Sequence, residues 1–211
     1  MKIGKKLGTF GVITIVFTTL FINIQMVSSK INKNPVIIEV EYFPQVRGKY
    51  CGQATAQMVL YETTGVKISQ SILIGEMNYT KGKGTRNTNI ATPFDTRNIT
   101  IISTGKDTTQ RDLKQNINNG YYTIINIGFD ENYRSGHFVV VTGYNSTGFF
   151  VHDPWPEKWG NPEGRDTGPY AYIDSDMLAE LWSFRSNWAL TVERLGPIDS
   201  AHESVEAIIW S

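Results

Sequence analysis

The strongest constraint on the fold is a block of apolar, β-branched sequence in the second half of the chain. Residues 121–129 read YYTIINIGF, residues 137–144 read HFVVVTGY, and residues 148–152 read GFFVH. Short runs of Val, Ile and aromatic residues favour strands, because branched and ring side chains fit a pleated surface and lose rotamer freedom in a helix. The second and third runs are joined by Asn145-Ser146-Thr147, a hairpin-type turn. Hairpin-linked strands are antiparallel, so an antiparallel sheet is expected. Pro154 and Pro156 end the third strand.

The first half has a helical period. Residues 51–63 fit a helix, with Ala54, Met58 and Tyr61 near one face and Gly65 as its stop. A second helix fits 69–77, with Ser69 as N-cap and Ile72, Leu73 and Ile74 for burial. Residues 78–98 are rich in Gly, Asn, Thr and Lys and read as loop, with one short helical turn around Ile90. Thr108 or Thr109 caps a helix through Asn118, ended by Gly120, and Asp174 or Ser175 caps another through Trp182. Further strands are expected at 32–41, 99–104 and 188–192. Helices followed by an antiparallel sheet make an α+β domain. The loop 155–169 is expected to cover part of it, with Trp155, Trp159, Tyr170 and Tyr172 packing that loop down, the alternative being a ligand-binding platform.

The 211 residues suffice for one ordinary domain plus a targeting segment. Lys2, Lys5 and Lys6 form a basic start, 10–24 is apolar, and Val27-Ser28-Ser29 supplies small residues for cleavage. Residues 1–29 are therefore expected to be a signal peptide or, uncut, a membrane anchor, placing the rest outside the cytoplasm. The domain is expected at 30–196 and a C-terminal tail at 197–211. Lys+Arg and Asp+Glu balance at 20 each, which argues against nucleic acid as a partner. No Cys-x-x-Cys or His-x-x-His spacing suggests a metal, and Gly82-Lys83-Gly84-Thr85 lacks the first glycine of a phosphate-binding loop. No cofactor is expected.

An exported chain usually pairs its cysteines, yet this one has a single cysteine. A lone cysteine is either a small buried hydrophobe or a reactive thiol. Position favours the second. Cys51 opens the first helix, where partial positive charge and unsatisfied N–H groups favour a thiolate. A thiolate nucleophile needs a proton carrier, and His137, His152 and His202 are the candidates. His137 is preferred because it opens an apolar strand at the sheet's rim. Asp153 lies almost as far beyond the hairpin turn as His137 lies before it, so the two become neighbours if the ladder carries a bulge. Asp153 is then the acceptor that orients His137. Gln45, six residues before Cys51 in sequence, is placed to join the Cys51 N–H in an oxyanion hole. Gly52 is expected to let a substrate backbone approach.

These segments resemble a known family. Gln45, then Tyr50-Cys51-Gly52-Gln53-Ala54, then residues 136–144 (GHFVVVTGY), then Val151-His152-Asp153-Pro154-Trp155 are similar to the bacteriocin-processing-like cysteine peptidases of the papain superfamily. The resemblance covers roughly residues 40–193. It implies a papain-like α+β fold, with N-terminal helices packed on an antiparallel sheet. It implies Cys51 as nucleophile, His137 as general base and acid, Asp153 as its orienting partner and Gln45 in the oxyanion hole. The function expected is an exported cysteine peptidase acting on a peptide or protein. The alternatives are another thiol acyl transfer, such as cell-wall amide cleavage or a transglutaminase-like reaction, and a non-catalytic binding module.

Overall fold

The computed structural model describes residues 34–129, 135–160 and 165–194. Residues 1–29, 197–211 and His202 lie outside them. Among the described residues no helix is long and apolar enough to cross a membrane, and no cluster of His, Cys, Asp and Glu is suited to a metal ion.

Helix α1 (Cys51–Thr64) is buried along its whole first stretch, from Cys51 to Leu60. A helix buried all round is surrounded by neighbours instead of resting on one face. The residues outside the Ala54, Met58 and Tyr61 stripe explain this. They are apolar, small or hydrogen-bonded through a donor: Thr55 Oγ1 donates to the carbonyl of Cys51 at 3.0 Å, Gln53 Nε2 to Thr85 Oγ1 at 2.7 Å, and Gln57 Nε2 to the Ile68 carbonyl at 2.6 Å. Gly65 ends the helix in the left-handed conformation, its N–H bonded to the Tyr61 carbonyl at 2.7 Å.

Helix α2 (Gln70–Glu76) starts at Ser69, whose side chain accepts from the Ile72 N–H. Where one helical turn is expected near Ile90, two short helices follow each other, α3 (Asn87–Ile90) and α4 (Thr92–Asp95). Ile90 and Phe94 anchor them in the core, fully buried. Helix α5 (Gln110–Asn118) begins with a capping box between Thr109 and Asp112. Helix α6 (Ser175–Ser183) is capped by Asp174, which accepts from the N–H groups of Asp176 and Met177.

The strands are β1 (Val36–Ile37), β2 (Ile101–Gly105), β3 (Tyr122–Gly128), β4 (Gly136–Tyr144), β5 (Gly148–Asp153), β6 (Gly168–Asp174) and β7 (Ala189–Val192). They form one sheet in the order β2-β7-β3-β4-β5-β6, antiparallel at every ladder, with β1 paired to the far end of β4. Every residue of β3 is buried. Cover on both faces is why β3 reads as a largely apolar run and not as an alternation.

Two expectations change. The strand expected over 32–41 is only two residues long; beyond it the chain stays extended and is tied by single bonds, such as Ile38 N–H to the Thr142 carbonyl at 2.8 Å. Strand β6 was expected to be loop as far as residue 169. Gly168 and Tyr170 both have positive φ, 93° and 53°, and the β5–β6 register shifts between Val151 and Asp153. Irregular pairing of this kind leaves no strand signature in the residues.

Candidate active site

Cys51 is the first residue of α1 and is only 9% exposed. Burial alone would raise its thiol pKa. The hydrogen bond and charge of His137, with the backbone N–H groups of Phe138 and Gly52, outweigh burial and hold it below the ordinary thiol value. The sulfur thus sits where a helix start, a strand backbone and an imidazole all favour negative charge.

His137 is the second residue of β4, and the hairpin brings Asp153 to it. Val140 pairs with His152, so Asp153 falls beside Val139, two positions from His137 and on the same face. The register shift between Val141 and Gly143 is a one-residue bulge that takes up part of the unequal spacing about the turn, and the diagonal reach of the two side chains takes up the rest. The result is a bond of 2.6 Å between His137 Nε2 and Asp153 Oδ1, with both residues 2% exposed. Nε2 is thereby taken, which leaves Nδ1 for the bond to Cys51. Burial pulls the imidazole pKa down, but the Asp153 charge and hydrogen bond, with those of Cys51, raise it to about 9. Asp153 is itself fixed: Oδ1 accepts the Trp155 N–H at 2.8 Å, and its carbonyl accepts the Tyr42 hydroxyl at 3.0 Å.

Gln45 is buried, 2% exposed, and its N–H bonds to the Pro154 carbonyl at 2.8 Å, next to Asp153. Its Nε2 donates to the Arg47 carbonyl at 3.0 Å. The segment is held from below by Gln70, which bonds the Pro44 carbonyl, the Val46 N–H and Gln57 Oε1 at 2.9, 3.1 and 3.0 Å. Neither Gln70 nor Gln57 is recognisable from sequence, because a buried glutamine brace has no spacing rule.

His152 faces elsewhere. It is fully buried, bonded through Nε2 to the Val40 carbonyl at 2.7 Å and through Nδ1 to the Tyr170 N–H at 3.0 Å. One nitrogen donates and the other accepts, so the ring is neutral, and burial lowers its pKa against the pull of Val40. His152→Ala is expected to cost about 3 kcal/mol by orphaning both partners, measured by denaturant unfolding, while kcat per folded molecule stays close to wild type. Because the folded pKa is depressed, the unfolded chain binds the proton first. The His152 contribution is therefore complete above about pH 6.5 and declines as the pH falls below it.

A Cβ on Gly52 would lie 3.0 Å from Ile90 Cδ1, 3.2 Å from Thr85 Cβ and 3.5 Å from Phe138 Cδ2, so the bare backbone lets these side chains pack against the start of α1. Two aromatic residues back the pair without being expected there, Phe129 against His137 and Trp155 against Phe129. The Phe129 ring lies 4.6 Å from the His137 ring, and Trp155 lies 4.9 Å from Phe129. The place of Trp155 directly after Asp153-Pro154 is the sequence signal for its position.

Residues 37–171 match the Peptidase_C39 like family. No curated protein sequence matches the chain. A Bacillus anthracis structure described as a C39-like peptidase aligns with 78% of this chain and 100% of its own, with a TM-score of 0.59 and 14% identity. The peptidase domain of Streptococcus ComA, described as a bi-functional ABC transporter involved in a quorum-sensing pathway, aligns with 72% of this chain and 96% of its own, with a TM-score of 0.52 and 18% identity. At such identities the shared property is the fold, a mixed α+β arrangement of helices against an antiparallel sheet. The family match spans most of the described fold, from β1 into β6, and on it the chain belongs to the Peptidase_C39 like family and is a cysteine-type peptidase of papain-like fold.

Proposed function

We propose that the chain hydrolyses peptide bonds outside the cytoplasm with Cys51 as nucleophile, His137 as proton carrier and Asp153 as the group that orients His137. The observation that carries this reading is the 2.6 Å bond from His137 Nε2 to Asp153, which leaves the other ring nitrogen for the sulfur. Cys51 Sγ, as thiolate, attacks the scissile carbonyl carbon and forms a tetrahedral oxyanion. The proton on His137 Nδ1 passes to the departing amine as the C–N bond breaks, leaving a thioester. Water then attacks the thioester, His137 takes its proton, and the acid leaves as the thiolate is restored.

The oxyanion is held by the Cys51 N–H and the Gln45 side-chain amide. Gln45 Nε2 carries two hydrogens; one is engaged by the Arg47 carbonyl, and the other serves the oxyanion. The bonds from Gln70 to Pro44 and Val46 keep that amide from drifting. The extracytoplasmic setting rests on the basic, apolar and small-residue succession of residues 1–29.

The reading is tested by incubating the chain with a peptide library under reducing conditions, with Cys51→Ala as control. Cleavage products that appear with the first and not the second support it. A cleavage pattern shared by both, or none at all, contradicts it. Asp153→Ala separates the orienting role. It is expected to lower kcat by about 100-fold, with KM within about threefold, because the imidazole is still present but no longer aimed. A change confined to KM would place Asp153 in substrate binding instead.

A further inference from the structure

Beside Cys51 lies a cleft of about 440 Å³ whose described lining includes Lys49, Lys83, Asn126, Gly136 and Arg185. Among the described lining residues there is no carboxylate. The chain as a whole is neutral, 20 cationic against 20 anionic side chains, so this cluster is local and not a sample of a basic surface. Cations gathered on a concave wall concentrate the field there and draw negative charge.

The backbone at both lysines is fixed, and their side chains are exposed. Lys83 rides a tight turn closed by the bonds between Thr80 and Gly84 at 3.0 and 2.9 Å. Gln53 of α1 pins the end of that turn through Thr85. Lys49 has a φ of 67°, and a Cβ on Gly84 would lie 3.5 Å from its carbonyl, so the Lys49 backbone abuts the turn.

Asn126 is the polar exception in the apolar β3 and is 7% exposed. Its Nδ2 donates to Asn87 Oδ1 at 2.6 Å, while its own Oδ1 has no partner. A Cβ on Gly136 would lie 2.5 Å from that oxygen, so only glycine at 136 leaves the amide its place on the cleft wall. A buried acceptor without a donor, on the wall of a cleft, suits an N–H brought by a ligand.

We propose that this cleft selects the substrate: it takes a peptide segment bearing an acidic side chain, whose carboxylate is held by Lys49 and Lys83 while Asn126 Oδ1 accepts a backbone N–H. The proposal rests on the reading of Cys51 as nucleophile and adds the class of substrate to it. Two exposed lysines, with the half-buried Arg185 beside them, give an expected preference of about tenfold.

The test uses peptides carrying Glu, Gln or Lys at each position around the scissile bond. At one or two positions Glu is expected to raise kcat/KM about tenfold over Gln, with the advantage shrinking as salt rises from about 0.05 to 0.5 M. The order of preference is expected to invert in Lys49→Glu and Lys83→Glu. A second readout needs no turnover: the ratio of Cys51 alkylation rates by anionic iodoacetate and neutral iodoacetamide is expected to fall severalfold in Lys49→Gln and Lys83→Gln. A flat charge profile with an unchanged ratio overturns the acidic-substrate proposal while leaving catalysis by Cys51 standing. Slow alkylation by both reagents at pH 6 overturns the nucleophile reading instead, and the ratio is then still read at pH 8.5.

Discussion

Cys51→Ala is expected to lower kcat/KM for any cleaved peptide by on the order of 10⁴-fold or more, because no other group supplies the electron pair that forms the thioester. The His137–Asp153 pair and the oxyanion donors remain in this variant. They cannot act without a nucleophile, so single replacements in such a site lose nearly the whole effect. The fold is expected to tolerate the change to within about 1 kcal/mol. Alanine keeps the helix start, and the His137–Asp153 bond does not depend on the sulfur. Loss of activity with an unchanged unfolding transition is the signature of a nucleophile. Retained activity with a large loss of stability is the signature of a packing cysteine, the other reading of a lone thiol.

His137→Ala is expected to be as severe in rate and far worse in stability. It removes the proton carrier, so kcat falls by on the order of 10⁴. It also removes the cation and hydrogen bond that overcome the effect of burial on Cys51, so the thiol pKa rises. Asp153 is left as a buried carboxylate whose Oδ1 has only the Trp155 N–H, and unpairing a buried charge costs about 3–5 kcal/mol. The double variant His137→Ala/Asp153→Ala is expected to recover much of that stability and none of the activity, as measured by denaturant unfolding and peptide turnover. If the single variant is as stable as wild type, the pair is not the buried ion pair described here.

The parts of the fold that were legible from sequence are those with local causes. Helix α1 ends at Gly65 because a left-handed stop needs glycine, and α2, α5 and α6 start at the Ser69, Thr109 and Asp174 caps. Strands β3, β4 and β5 announce themselves in β-branched and aromatic residues. The His137–Asp153 neighbourhood follows from counting outward from one turn, allowing one bulge and a two-residue diagonal on one face. What stayed hidden depends on partners distant in sequence. Strand β6 carries Gly168, Pro169 and a positive-φ Tyr170, and is made a strand only by β5 beside it. The same holds for the Gln70 brace under Gln45 and for Phe129 against His137: nothing within a few residues of either announces the contact. The packing of Ile90 and Thr85 against Gly52 is hidden for the same reason, since both come from a segment that reads mostly as loop.

The pH dependence of Cys51 alkylation by iodoacetamide, followed by mass spectrometry of the intact chain, tests most directly whether this cysteine is held as a thiolate. An ordinary thiol is ionised to well under 1% at pH 6 and gains about tenfold in reactivity per pH unit up to its pKa near 8.5. The thiolate–imidazolium pair predicts labelling at pH 6 that is faster than that of a free thiol and climbs less than tenfold per pH unit, with a further change in rate near pH 9, where His137 gives up its proton. A rate at pH 6 no faster than that of a free thiol, climbing tenfold per unit through pH 8, would contradict the account.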